Sequence, residues 1–287
     1  MTTADLVRSA LLCGHLPPGN FWPFHGYRGH SAIWRASITR AHLSEDPATN
    51  RLVPTNDYRL LDATERGFVS WLLGSSVTHL VAQRRLGLPV LLHLTAYGAA
   101  FGVTFDGRLR PDFIAPLPGG GWAVFEAKGR ARLRSAAMTH AKNQTNAITS
   151  IGGVTPALRA ACISVFRVGG LEIELQDPPP EPIALEAKAA GIVAEYYKTV
   201  TDLLEAGTEG DLLPVGDQSY RTAKVDALDL MVGLSAEIEA ALSSENEEER
   251  LTVLQRGLAQ TVAVPRGASI GPDGVLVVLG DSWYAAK

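Results

Sequence analysis

Residues 110–128 read RPDFIAPLPGGGWAVFEAK, two apolar segments joined by a run of glycines. Pro118-Gly119-Gly120-Gly121 is typical of a hairpin turn, because glycine readily adopts the positive φ that tight turns need. The flanking segments, roughly 109–117 and 122–128, carry the β-branched and aromatic residues that favour strands. The stretch therefore predicts two adjacent antiparallel strands.

Three ionisable residues of this hairpin are expected to meet. Side chains alternate between the two faces of a strand, so Glu126 and Lys128 share one face while Ala127 points to the other. Pairing of the strands would bring Asp112 beside them. Two carboxylates can hold Mg²⁺ and leave positions for waters and a phosphate oxygen, and Lys128 could orient or deprotonate an attacking water. The pattern favours hydrolysis of a phosphodiester.

The elements around the hairpin can also be predicted. Apolar residues recur at helical spacing from Asp62 until Gly87-Leu88-Pro89, which predicts a long amphipathic helix. A strand at 90–97 precedes the hairpin. A helix at 133–149 and strands at 161–168 and 171–175 follow it. The predicted core is an α/β arrangement in the order helix, three-strand antiparallel meander, helix, strand.

Pro111-Asp112 followed by Glu126-Ala127-Lys128, on neighbouring strands in this order of elements, resembles the PD-(D/E)XK nuclease superfamily over roughly residues 62–175. The resemblance implies a restriction-endonuclease-like core and a Mg²⁺-dependent nuclease, with Mn²⁺ as a substitute ion, acting on DNA in restriction, defence or repair. It implies Asp112, Glu126 and Lys128 as catalytic residues. Asp112, Glu126 and the backbone carbonyl of Ala127 would bind the metal. The alternative is a catalytically inactive nucleic-acid-binding or structural subunit of a larger complex.

Gln144 lies on the predicted helix at 133–149. In several branches of the superfamily a Gln on this helix supports the active-site lysine or contacts the nucleic-acid backbone, and the resemblance gives Gln144 that role. A buried Gln satisfied by backbone groups is the alternative. The tripeptide also recurs as Glu186-Ala187-Lys188, where a helical pattern puts Glu and Lys on different sides. We interpret that copy as a solvated helix surface.

Positive charge is concentrated around the hairpin, although the formal net charge of the chain is -4. Residues 106–142 include seven basic and three acidic residues, so the formal charge of this zone is +4 and that of the rest of the chain is -8. A local basic zone is what a phosphate-contacting surface needs, and a solvated helix face is the alternative. The residues expected to bind nucleic acid are Arg110, Arg130, Arg132, Arg134 and Lys142.

Two additions are predicted around the core, which is assigned to 61–177. Residues 1–60 are expected to form an irregular segment packed on it. Residues 181–287 are expected to be mainly helical, with helices at 182–206, 220–242 and 247–262 and a short hairpin at the end. An apolar stripe in the second helix could pack on the core or bind a partner, as a homodimer or a larger complex; its residues are Leu228, Met231, Leu234, Ile238 and Leu242.

The remaining signals are weaker. The N-terminal aromatics, Trp34 among them, most simply cover the core, and stacking on bases is the alternative. Zinc binding there is disfavoured, because the spacing of Cys13, His15, His25 and His30 matches no familiar finger. Cys13 and Cys162 are expected to be free thiols, as in a reducing compartment. With no apolar run of about 18 residues, we expect no membrane association and a cytoplasmic location.

Overall fold

The computed structural model describes residues 1–13, 27–117, 120–132, 136–176, 189–244, 246, 252–253 and 264–284. In this part of the chain the α-helices are α1 (Thr3–Leu12), α2 (Tyr27–His42), α3 (Asn56–Leu60), α4 (Ala63–Leu86), α5 (Leu94–Tyr97), α6 (Ala136–Asn146), α7 (Ala189–Ala206) and α8 (Ala236–Ser243). None of these helices is both long and apolar enough to cross a membrane.

The strands of the described residues form open sheets. They are β1 (Leu43–Glu45), β2 (Leu52–Pro54), β3 (Leu92–His93), β4 (Thr104–Phe105), β5 (Phe113–Pro116), β6 (Trp122–Arg130), β7 (Ile148–Ser150), β8 (Leu158–Arg167), β9 (Gly170–Gln176), β10 (Thr208–Glu209), β11 (Leu213–Val215), β12 (Gln218–Val225), β13 (Leu230–Ser235), β14 (Ala268–Ile270) and β15 (Val275–Leu279). The mixed α/β class predicted from the sequence is confirmed.

The predicted hairpin lies in a five-stranded sheet with the order β3-β5-β6-β8-β9. β5 and β6 pair antiparallel, with Phe113 opposite Phe125, whereas β6 and β8 run parallel. Parallel neighbours need a crossover connection, and α6 lies in the connection between these two strands. The hairpin is confirmed, although its first strand begins at Phe113 rather than near 109. The helix predicted at 133–149 is α6, which ends at Asn146 and is followed by β7.

Helix α4 covers the face of the sheet that carries Phe125 and Ala127. Asp62 caps the helix by accepting hydrogen bonds from the backbone of its first turn, and Gly87 ends it in the left-handed conformation. The backbones of α4 and β6 approach closely at Gly129. A Cβ added there would lie 1.5 Å from the carbonyl oxygen of Ser70, so only glycine fits.

Two predictions nearer the N-terminus are wrong. The strand expected at 90–97 is limited to β3, because the chain turns into α5 directly afterwards; a short apolar run does not distinguish strand from helix. Residues 1–60 are not irregular, since their described part contains α1, α2, α3 and the β1–β2 pair. Thr2 and Asp5 form a capping box for α1, a signal that the sequence carries.

The C-terminal part is not mainly helical. The helix predicted at 220–242 is instead β12, β13 and α8, within a sheet of order β10-β12-β13-β15-β14 to which β11 also pairs. The apolar stripe is divided among these elements, and Leu228, Leu234 and Ile238 are buried in the core. It therefore does not form one helical face for a partner. The terminal hairpin, β14–β15, is confirmed, whereas most of 247–262 lies outside the described residues.

The C-terminal sheet shares its core with the N-terminal helix α1. Arg8 and Asp273 form an ion pair with an Nη1–Oδ1 distance of 3.1 Å and are 1% and 0% exposed. Gln83 Nε2 and the Tyr196 hydroxyl also donate to Asp273, at 2.7 and 2.8 Å. Buried polar atoms thus connect α1, α4 and α7 to the turn between β14 and β15.

Candidate active site

The backbone of Asp112 marks the place where β5 begins and its pairing with β6 ends. Its N–H donates to the Phe125 carbonyl at 3.1 Å, and its carbonyl accepts from the N–H of Leu94 at 2.8 Å. Beyond this point the backbone pairing of β5 with β6 stops, and a side chain takes over. Asp112 Oδ2 accepts a hydrogen bond from the backbone N–H of Ala127 at 2.9 Å. The carboxylate of Asp112 is thereby fixed against β6.

Glu126 and Lys128 share one face of β6, as the alternation predicts. Lys128 Nζ donates to Glu126 Oε1 in a short contact. Glu126 is 0% exposed, and its second oxygen, Oε2, is buried with no hydrogen-bond partner in the described part of the chain. The Lys128 side chain is 15% exposed. The three residues of the motif are therefore brought together, with Glu126 buried and with Asp112 and Lys128 partly exposed.

The negative charge of Asp112 destabilises the ionised form of Glu126. Burial raises the pKa of Asp112 above its usual range. Burial raises the pKa of Glu126 to about 8, and the negative charge of Asp112 adds to the shift. Two like charges in a site with little water favour the protonated form of one of them. A bound cation would relieve this repulsion.

The donor set fits a hard divalent ion. Asp112 and Glu126 offer carboxylate oxygens, and no N–H or hydroxyl in the described part of the chain donates to Glu126 Oε2. The Ala127 carbonyl points to the same side as its N–H, toward the edge that β5 no longer pairs. Within the described residues no cluster of three or more His, Cys, Asp or Glu side chains could hold a metal.

Gln144 lies on α6 but contacts the segment before β5. Its Nε2 donates to the Arg110 carbonyl at 3.0 Å, two residues before Asp112. Its Oε1 is buried and has no hydrogen-bond partner among the described residues. The amide is thus only partly satisfied by backbone. Gln144 braces the strand that carries Asp112, and its support of Lys128 stays a prediction.

The predicted nucleic-acid-binding residues occupy different environments. The Arg110 guanidinium lies 3.7 Å from the Phe105 ring centroid and donates to the Gly107 and Leu109 carbonyls. Arg130 and Arg132 are exposed at the end of β6. Lys142 donates to the Arg159 carbonyl in a short contact. Arg134 lies outside the described residues, as do His15, His25 and the Glu186-Ala187-Lys188 copy.

The sequence reasoning missed residues that only the fold brings near this end of β6. A cavity of about 620 Å³ beside Gly129 is lined by Arg66 together with Arg130 and Arg132. The position of Arg66 in the sequence does not indicate that it lies near Arg130 and Arg132. His93 on β3 lies next to Asp112, whose negative charge favours the protonated imidazole, although burial lowers the pKa of His93 overall.

The site thus consists of the buried Glu126 carboxyl, the partly buried Asp112 carboxyl, Lys128 beside them and exposed arginines at the end of β6. All of these groups lie on or beside β6, and two helices brace the strand from opposite faces. Comparisons of the chain with protein-family models, with curated proteins and with solved structures found no match.

Proposed function

We propose that this protein is a metal-dependent nuclease that hydrolyses phosphodiester bonds, with DNA as the expected substrate. One observation carries the proposal: the buried Glu126 carboxyl and the partly buried Asp112 carboxyl lie against each other at an open end of the β5–β6 pairing, with Lys128 beside them. A buried carboxylate beside a second carboxylate is costly to keep without a cation. Such a site is typical of function rather than of stability.

The order of elements supports membership of the PD-(D/E)XK superfamily. Helix α4, strands β3, β5 and β6, helix α6 and strand β8 follow one another as the resemblance requires. Asp112 directly precedes β5, and the Glu-x-Lys lies on the adjacent strand β6. The proposal extends to the restriction-endonuclease-like core, and restriction, defence or repair is the expected setting.

Each motif residue then has a defined task. Asp112, Glu126 and the Ala127 carbonyl would hold Mg²⁺, or Mn²⁺ in its place. The ion, when bound, polarises the phosphoryl group and offsets the charge that develops on it. Lys128 has three N–H donors and uses one on Glu126 Oε1, so the others can orient a water or a phosphate oxygen. Gln144 holds the chain before Asp112 in place.

Cleavage of a panel of double-stranded and single-stranded DNA and RNA, with Mg²⁺, Mn²⁺ or EDTA, tests the proposal. Asp112→Ala, Glu126→Ala and Lys128→Ala should each abolish metal-dependent cleavage while circular dichroism still reports a folded protein. Glu186→Ala and Lys188→Ala are matched controls, because they change the same tripeptide elsewhere in the chain. These two variants should cleave like the wild type.

Two outcomes would count against the proposal. Cleavage that persists in all three motif variants, with contaminating nuclease excluded, would move the active site elsewhere. Binding without cleavage by the wild-type protein under every metal condition would favour the catalytically inactive alternative.

A further inference from the structure

Three aromatic side chains form an exposed row on the surface of α2 and α4. The Trp34 and Phe68 ring centroids are 5.8 Å apart, and those of Phe68 and Trp71 are 6.0 Å apart. Their exposed fractions are 44%, 44% and 40%. Single exposed aromatic residues need no explanation, but a contiguous apolar patch marks an interaction surface. We call these three residues the aromatic row.

The aromatic row lies beside the end of the proposed catalytic strand. Gly129 directly follows Lys128, and a Cβ built on it would lie 3.0 Å from the backbone nitrogen of Trp71. The backbone of Trp71 is therefore in contact with the strand one residue beyond Lys128, on the face of β6 opposite to the Lys128 side chain. Phe68 and Trp34 continue the row away from that point.

Cationic residues border the aromatic row. The cavity of about 620 Å³ is lined on the α4 side by Arg66, Gly67 and Ser70 and on the β6 side by Arg130 and Arg132. Trp71 directly follows Ser70 and lies one helical turn after Gly67, so the cavity and the row share an edge. The described residues that line the cavity include no acidic side chain. The surface is aromatic on one side and positively charged on the other.

We propose that the aromatic row stacks unpaired bases of single-stranded nucleic acid while Arg130 and Arg132 contact its phosphates. The inference rests on the proposed nuclease function and adds its substrate class, a strand with an unpaired segment that passes the end of β6. Aromatic rings beside a positive groove are the usual means of holding single strands without sequence preference. A duplex keeps its base faces stacked and offers only edges and phosphates, so it cannot use the row.

The test compares the affinities of fluorescent oligo(dT) and of a duplex of equal length, measured in EDTA so that a metal-dependent enzyme leaves them intact. Trp71→Leu keeps an apolar side chain but removes the aromatic face, and it should weaken oligo(dT) binding by about 5- to 150-fold, the range for loss of one stacked base. Duplex affinity should change less than about twofold. Trp71→Phe should retain most of the single-strand affinity, because a stacking face remains.

Tyr284→Leu is the matched control, since Tyr284 is an exposed aromatic residue on a different part of the surface, 42% exposed. Its affinity for both oligonucleotides should equal that of the wild type. Equal losses of single-strand and duplex binding in Trp71→Leu, or no loss, would overturn the inference. So would concentration-dependent self-association that Trp71→Leu abolishes, because the row would then join two copies of this chain.

Failure of the nuclease proposal and failure of the stacking inference give different results. If Asp112→Ala still cleaves, the active-site assignment fails, whereas the single-strand preference is read from affinity alone. If Asp112→Ala is inactive but Trp71→Leu binds both oligonucleotides normally, the active-site assignment stands and the stacking inference fails.

Discussion

Replacing Glu126 with Gln should stabilise the metal-free protein at alkaline pH. Glu126 is fully buried beside Asp112, and burial together with the charge of Asp112 raises its pKa from 4.5 to about 8. Between these values the folded protein holds a proton that the unfolded chain has released. The free energy of unfolding contributed by this group therefore falls as the pH rises through that window. Gln is neutral at every pH and removes this dependence.

The size of the effect follows from the shift. One pKa unit corresponds to about 1.4 kcal/mol. For each pH unit within the window, the free energy of unfolding of the variant should therefore rise by about 1.4 kcal/mol relative to that of the wild type. From pH 5 to pH 8, both within the window, the difference in unfolding free energy should grow by about 4 kcal/mol. The amide can still accept the hydrogen bond from Lys128.

Urea unfolding in EDTA, followed by tryptophan fluorescence at four pH values from about 5 to about 8, measures this difference. Glu172→Gln is the matched control, because the side chain of Glu172 is 50% exposed in its ion pair with Arg167. Its profile should run parallel to that of the wild type. Saturating Mg²⁺ should raise wild-type stability at pH 8 and leave Glu126→Gln little changed, since binding requires the carboxylate.

Parallel pH profiles for wild type and Glu126→Gln would refute this reasoning. They would mean that Glu126 is ionised in the folded protein at neutral pH, so that the pair with Lys128 already compensates its burial. Mg²⁺ would then displace no proton from Glu126 when it binds. A steeper fall in the variant than in the wild type would contradict the sign of the argument.

Three further predictions follow from contacts in the structure. Gln144→Ala should slow cleavage without abolishing it, because its bond to the Arg110 carbonyl positions Asp112 but binds no metal; unchanged single-turnover rates would give Gln144 a structural role. Asp273→Ala should cost about 3–5 kcal/mol in urea unfolding, because it leaves Arg8 buried and unpaired; a loss under about 1 kcal/mol would contradict this. Arg130→Ala combined with Arg132→Ala should lower the slope of log affinity against log salt on duplex DNA by up to about 1.8, and an unchanged slope would place the phosphates elsewhere.

The local chemistry of the motif could be predicted because it depends on short-range rules. The glycine run imposes a hairpin, and alternation along β6 puts Glu126 and Lys128 on one face. The pairing of the two strands then fixes Asp112 beside them. These relations hold whatever the rest of the chain does. The residues of the candidate site and the order of elements around it were therefore accessible from sequence.

The C-terminal sheet could not be predicted from local sequence in the same way. Residues 220–242 contain apolar side chains at intervals that satisfy both a helix and a pair of strands, and local spacing cannot choose between them. The choice depends on β15, which pairs with β13 and lies more than 30 residues later in the chain. A strand is stable only when its hydrogen bonds find a partner, so its identity is a tertiary property.

The sequence by itself determined the hairpin, the motif and the local excess of positive charge, because turn chemistry, alternation and charge are properties of neighbouring residues. Only the tertiary structure decided that Glu126 is fully buried and that Arg66 lies by Arg130. It alone put Trp34 of α2 in contact with Phe68 of α4. These contacts join residues far apart in the chain, and burial depends on everything that surrounds a side chain. A pKa shift or a binding surface that depends on them cannot be read from local spacing.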